Sequence, residues 1–342
     1  MSAAPLLEVR DLQCLFPLRR GLGDVAARRH HRVHAVDAVS FAMEPGEVLA
    51  LVGESGCGKS TTGRLLVRLL TPTAGEIRFH GQDVTKLTGA ELKAFRRQAQ
   101  IIFQNPFEVF DPRLSIGAAL QQVLAIHHVG AAAERERRVL AALERAGLVP
   151  AADYLARYPH ELSGGQLQRI ATVRATLLEP DFLVADEPVS MLDVSVRADI
   201  LNQLLDLREQ HGMAILFITH DIAVARYVAT RIAVMYLGAF VEVGPAADVI
   251  DRPQHPYTRA LLSHTLPVGD EAGVREPLEI SGDPPTPVDL GVGCRFAGRC
   301  PFTFDRCWTE TPQVRPVGAQ QVACHLNAPA TAPARQSVAS SR

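Results

Sequence analysis

The sequence contains no apolar run near the roughly 20 residues needed to cross a bilayer as a helix; stretches such as IAVMYLGAF fall far short. The first residues, MSAAPLLEVRDL, carry acidic side chains where a secretory signal needs an apolar core, so the cytosol is the expected compartment. Charge of one sign is also missing. A formal net charge of -2 over 342 residues gives no global basic field of the kind that draws a protein to nucleic acid. No internal repeat is present. Cysteine is scarce, yet four of the six cysteines fall in the last fifty residues. In a reducing compartment such a cluster reads as a metal site before it reads as disulfides.

What remains is an ordinary folding composition, 47% hydrophobic and 21% charged, with length for one large domain and a smaller appendage. Residues 6–18 and 38–44 read as short strands around a basic loop, RRGLGDVAARRHHR, expected to be a solvated insertion. EVLALVG (47–53), DFLVAD (181–186) and AILFIT (214–219) have the unbroken apolar character of buried parallel strands. TGAE (88–91) has capping-box form and predicts a helix start. Residues 105–160 hold helix-like stretches, and helical pattern returns at 195–210. Strands alternating with helices around a helical block predict an α/β core with an inserted helical subdomain. From about residue 265 proline and glycine become frequent, which predicts a loop-rich tail, and the final NAPATAPARQSVASSR is expected to be disordered.

Three segments carry chemistry. GESGCGKST (53–61) fits G-x-x-x-x-G-K-S/T, in which Gly53, Glu54, Ser55, Gly56, Cys57 and Gly58 wrap backbone N–H groups around phosphate oxygens. Lys59 would neutralise β- and γ-phosphate charge, Ser60 would ligate Mg²⁺, Thr61 completes the nucleotide-binding stretch, and the helix that follows adds its positive N-terminal end. In DFLVADE, Asp186 ends a buried strand where it could hold Mg²⁺, and Glu187 stands where it could polarise an attacking water. In ELSGGQLQRI, Ser163 can cap a helix while Gly164 and Gly165 expose amides, a second anion site at a helix start.

With LSGGQ between the two other motifs, the sequence resembles the ATP-binding-cassette (ABC) ATPases. The resemblance implies a P-loop NTPase (RecA-like) core with an N-terminal antiparallel β subdomain and an inserted α-helical subdomain. It also implies two such domains facing head to tail, so that Ser163, Gly164, Gly165 and Gln166 close over ATP held by the partner. Gln104 in IIFQNP matches the family's Q-loop, and SMLD (Ser190 to Asp193) its D-loop, with Met191 where alanine is more usual. His220 in FITHD matches the switch histidine, and Phe16 stands where the family stacks an aromatic ring on adenine. Catalysis would thus rest on Lys59, Gln104, Glu187 and His220.

Within the family, VGESGCGKSTTGR, RYPHELSGGQ, MYLGAFVEVG, HPYTRALL and GCRFAGRCP resemble ATPase subunits of bacterial dipeptide and oligopeptide importers, in the F-type form. That implies a nucleotide-binding domain over residues 6–264 (helical subdomain about 105–170), a C-terminal extension over 265–326 and a tail from 327 to 342. It further implies a second, D-type ATPase subunit, two transmembrane permeases, an indirect link to an extracytoplasmic solute-binding protein, no nucleic acid, and a place on the cytoplasmic face of the cell membrane. Nickel or another small solute is the alternative cargo. A non-transport ABC ATPase of DNA repair or translation is the more distant alternative, because the gap from Lys59 to Ser163 is compact. The segment FEVFDPR, beside Gln104, departs from the usual Ser-Leu-Asn-Pro-Arg form, as QLQRI and VRAT depart from QRQRI and ARAL.

The cysteines Cys294, Cys300, Cys307 and Cys324 are spaced C-x5-C-x6-C-x16-C in a tail too polar to build much core. A metal staple would offset that weakness. Zinc typically uses tight C-x(2–4)-C knuckles, which are missing here, whereas a 4Fe–4S cluster suits irregular spacing. The resemblance also favours the cluster, so iron–sulfur is expected over zinc.

Overall fold

The computed structural model describes residues 4–18, 31–190, 192–265, 278–280 and 282–328. Residues 19–30 of the expected basic loop, Met191 of the D-loop and the end of the tail lie outside these residues. The architecture is α/β, with a large mixed sheet, a smaller antiparallel sheet and a helical block.

The large sheet is built on β3 (Val48–Val52), β6 (Ala99–Ile102), β7 (Phe182–Asp186), β8 (Ala214–Thr219) and β9 (Arg231–Tyr236), all parallel, in the order β9-β3-β8-β7-β6. Every residue of β3, β7 and β8 is buried, because helices or the second sheet cover both faces. Beyond β9 the sheet turns antiparallel through β10 (Ala239–Pro245), β12 (Gln320–Val322) and β11 (Arg315–Val317). The C-terminal segment therefore shares the main sheet: Glu242 of β10 pairs with Val322 of β12.

The second sheet runs β2-β1-β4-β5, from β1 (Leu7–Pro17), β2 (Arg32–Met43), β4 (Ala74–Phe79) and β5 (Gln82–Asp83). β2 starts earlier than its apolar pattern suggested, because β1 pairs with it down to Pro17–Arg32. Its inner face (Leu7, Leu12, Val36, Met43) packs onto Leu51, Val184 and Ile218 of the main sheet and onto Leu65 and Leu66 of α1 (Lys59–Leu66). Helix α2 (Gly89–Gln98) forms as expected after Thr88, but the Thr88 side chain makes no capping hydrogen bond.

Between β6 and β7 lie α3 (Ile116–Ile126), α4 (Ala132–Arg145), α5 (Ala152–Leu155) and α6 (Gly164–Thr176), with no strand among the described residues. Their apolar faces form a separate core of Ile116, Leu120, Leu124, Val139, Leu143, Leu167 and Ile170. Helix α7 (Val194–His211) ends at Gly212, whose φ of 64° is the left-handed turn that glycine permits. α8 (Ile222–Val228), α9 (Ala246–Asp251) and α10 (Pro256–Thr265) cover the β9 side, and α11 (Asp305–Thr309) lies in the C-terminal segment. No helix of the described residues is long and apolar enough to cross a membrane.

Candidate active site

β3 delivers the chain into a loop pressed between β2 and β9. A Cβ on Gly53 (φ 157°) would sit 2.3 Å from the Met235 carbonyl, and one on Gly58 (φ 109°) 2.1 Å from the Ala35 carbonyl. Neither position tolerates a side chain, so backbone alone fills these two points. Ser55 and Gly56 are exposed at the loop's crest, and Thr61 is half-buried in α1. Cys57 is buried in the core below as a small apolar residue. Lys59 is only 5% exposed, and its ammonium donates to the carbonyls of Gly53 (2.8 Å) and Glu54 (2.9 Å).

Adjacent parallel strands of an α/β sheet release their loops at one edge, where ligands bind. The Ser60 hydroxyl donates to Asp186 Oδ1 at 2.9 Å. Asp186, at the end of β7, is 2% exposed, and burial pushes its carboxyl above the usual carboxylate range. A buried carboxylate penalised in this way is what a cation would relieve, so Ser60 and Asp186 fit Mg²⁺. Glu187 follows in left-handed backbone (φ 47°), pinned by its N–H to the Ile218 carbonyl at 2.9 Å. A non-glycine residue there costs energy and persists because its surroundings over-determine it. Its carboxylate accepts from Gln104 Nε2 (2.9 Å), just past β6, and lies 3.1 Å from His220 Nδ1, just past β8. Three neighbouring strand ends thus converge on one carboxylate, which is suited to take a proton from water.

Ser163 begins α6 with a complete capping box: Gln166 N–H donates to Ser163 Oγ (3.3 Å) and Ser163 N–H to Gln166 Oε1 (3.1 Å). Gly164 has open space around it, while a Cβ on Gly165 would lie 3.1 Å from Val196 of α7. Arg169 and Asp199 tie the two helices at 2.7 Å. These contacts lead to α7, and neither hydrogen bond of the capping box reaches residues 53–61. Ser190 Oγ donates to the Glu187 carbonyl at 3.1 Å, and Asp193 is exposed before α7. Phe16 lies opposite Val33 on β2, two residues from Ala35, and is 40% exposed.

Two residues at the site lie in stretches that mark the family branch, HPYTRALL and GCRFAGRCP, but no role there could be read from the sequence. The Tyr257 hydroxyl accepts from the Glu54 N–H at 2.9 Å, and Arg299 Nη1 donates to both Glu54 carboxylate oxygens at 2.9 and 3.1 Å. Both come from the far end of the chain, and no spacing rule links them to the loop.

The cysteine expectation is corrected. Among the described residues no group of three or more His, Cys, Asp or Glu is arranged to hold a metal ion, so neither the iron–sulfur cluster nor zinc is supported at Cys294, Cys300, Cys307 and Cys324. The four thiols are free, and the groups approach closely enough for each charge to disfavour the next. Burial, more than this repulsion, pushes Cys294 up to about 11 and raises Cys300 and Cys324. The segment is ordered by other means. Cys294 N–H donates to the Cys307 carbonyl at 2.7 Å, Phe296 is 1% exposed among Tyr236 and Tyr257, and β12 pairs with β10.

Comparison with known proteins agrees with this geometry. The ABC transporter family model matches residues 36–190, and the model for the oligopeptide/dipeptide transporter C-terminal region matches 241–307. The chain is 47% identical over 317 residues to a Brucella ovis protein named for peptide import ATP binding, covering 93% of this chain and 96% of that one. It is 42% identical over 325 residues to the oligopeptide transport ATP-binding protein AppF of Bacillus subtilis, covering 94% and 97%. It is also 47% identical over 299 residues to the glutathione import ATP-binding protein GsiA of Pectobacterium atrosepticum, covering 84% of this chain and 47% of that one. Among solved structures, the ATP-binding cassette MJ0796, dimeric and bound to ADP and Pi in a post-hydrolysis state, is similar with a TM-score of 0.62 and 28% identity. That match covers 70% of this chain and 98% of the cassette.

Proposed function

Because the chain belongs to the ATP-hydrolysing subunits of the ABC transporters, with the oligopeptide/dipeptide C-terminal region, we propose that it powers import of di- or oligopeptides. Relatives named for peptide, oligopeptide and glutathione import support this cargo class, glutathione being itself a small peptide. The observation that carries the catalytic reading is the Glu187 carboxylate held by Gln104 and His220 beside the Ser60–Asp186 pair.

In this reading Lys59 and the loop amides of residues 53–61 bind the phosphates, and Phe16 lies against adenine. Ser60, Gln104 and Asp186 would hold Mg²⁺, which would neutralise phosphate charge. Glu187 accepts the proton as water oxygen bonds to the γ-phosphorus and the bond to the ADP oxygen breaks. Gln104 and His220 fix the carboxylate's direction, and His220 has the exposure to meet the γ-phosphate. Ser163, Gly164, Gly165, Gln166 and Asp193 act on nucleotide held by a second cassette. The cassette covers 6–264, its helical subdomain about 105–170, and the extension 265–326. The partners are a D-type ATPase and two permeases at the cytoplasmic face of the membrane, with a solute-binding protein beyond them.

Replacing Lys59 with Ala tests the phosphate site. ATP turnover is expected to vanish, because backbone amides alone leave too much phosphate charge uncompensated. Wild-type turnover in the variant would overturn the reading.

A further inference from the structure

All three polar groups of Glu54 are engaged. Its carbonyl accepts from Lys59 at 2.9 Å, its N–H donates to the Tyr257 hydroxyl at 2.9 Å, and its carboxylate binds Arg299 at 2.9 and 3.1 Å. Two of these holders stand 203 and 245 residues downstream. Neither is loosely placed. Tyr257 is fully buried, with its ring centroid 4.7 Å from that of Tyr236 and 5.4 Å from that of Phe296. The Arg299 side chain is 9% exposed, its guanidinium 5.8 Å from the Tyr236 ring centre, and its own N–H donates to the Phe296 carbonyl at 3.0 Å. Phe296 fastens the turn between Cys294 and Cys300 to the aromatic group under β9, so Arg299 approaches the loop from a fixed base. Next door, Arg295 donates to the Leu237 carbonyl (2.5 Å) and to Asp37 (2.6 Å), fastening the same turn to the chain after β9 and to β2.

A phosphate loop works through the direction of its backbone N–H groups, and that direction follows from the curvature of the glycine-rich turn. Glu54 opens the turn. A residue held at carbonyl, N–H and side chain has no freedom left, and the loop leaves it in one direction only. The ion pair is partly buried, with the Arg299 side chain more enclosed than that of Glu54, so loss of Glu54 leaves Arg299 without its partner and frees the loop.

We propose that Arg299 and Tyr257 are positioning residues for the phosphates of ATP, acting through Glu54, so that the C-terminal segment is a working part of the nucleotide site. The proposal rests on residues 53–61 being that site. Its test is equilibrium titration of the full-length chain with MgATP, with the melting temperature of nucleotide-free protein recorded beside it. Arg299→Ala and Glu54→Gln are each expected to raise the ATP Kd about tenfold, and the double variant no further, as for residues acting as one unit. Arg299→Lys should recover most of the loss. Tyr257→Phe deletes only the acceptor for the Glu54 N–H, keeps the ring, and should raise Kd about three- to tenfold, so the question stands even if Arg299→Ala does not fold. Unchanged Kd in Tyr257→Phe and Glu54→Gln, or additive losses in the double variant, would overturn the proposal. Lys59→Ala runs in parallel: unchanged affinity there removes the nucleotide site itself. Lost affinity there with unchanged affinity in the other variants removes only the positioning role.

Discussion

Glu187 spends backbone energy to face its two partners. Its φ of 47° turns the carboxylate toward Gln104 and His220 instead of continuing β7. Glu187→Gln keeps the shape and both neighbours while removing the base. ATP affinity is expected to persist while turnover falls by roughly 10²–10⁴-fold, as for loss of a positioned general base; parallel binding and turnover assays check this. Loss of binding along with turnover would instead make Glu187 a holder of the cation. Asp186, Glu187, Lys59 and Ser60 were legible because each chemistry lies in a few consecutive residues after a buried strand. Gln104 and His220 needed the family resemblance, since a lone Gln or His after a strand carries no signal. Arg299 and Tyr257 lie in stretches that mark the family branch, but their role at the loop could not be read. Their partner Glu54 is more than 200 residues away, and only the folded chain brings them together.

At the scale of elements, the start of α10 shows how the C-terminal side is held. Glu242 of β10 is fully buried and accepts from the N–H groups of Gln254 (2.8 Å) and His255 (2.9 Å). His255, 1% exposed, uses Nδ1 to accept from the Tyr257 N–H at 3.0 Å, which requires the neutral ring. Burial first, and Arg259 second, lower its pKa from an ordinary 6.5 to about 3. A depressed folded pKa contributes stability that is complete above pH 6.5 and is lost as pH falls toward 3. Glu242, raised by burial, works with the opposite sign as pH falls toward its ordinary 4.5. The His255 part is therefore read by difference. His255→Asn keeps an acceptor that does not titrate, and its melting temperature should fall less steeply than wild type between pH 6.5 and 4.5. Equal slopes would show that His255 is not neutral in the fold. Long apolar strands such as β3 and β8 were legible by pattern. β11 and β12 were not: RPV and QQV are three residues each, β12 taking its place from β10 and β11 from β12. The metal expectation failed at the same point. It assumed a tail without a core, whereas Phe296 and the added strands supply one.

For the whole molecule, the residues proposed to act on nucleotide lie in two groups. Lys59, Ser60, Asp186 and Glu187 gather at one sheet edge, while the capped α6 start at Ser163 is tied to α7. In the proposed function a second cassette brings the two together, and the permeases that the pair would grip couple them to peptide. The most direct measurement is peptide-dependent ATP hydrolysis by the membrane complex that co-purifies with this chain, compared between wild type and Lys59→Ala. Hydrolysis is expected to rise when peptide and its binding protein are supplied and to be lost in the variant. Hydrolysis indifferent to peptide, or surviving Lys59→Ala, would contradict the proposed function.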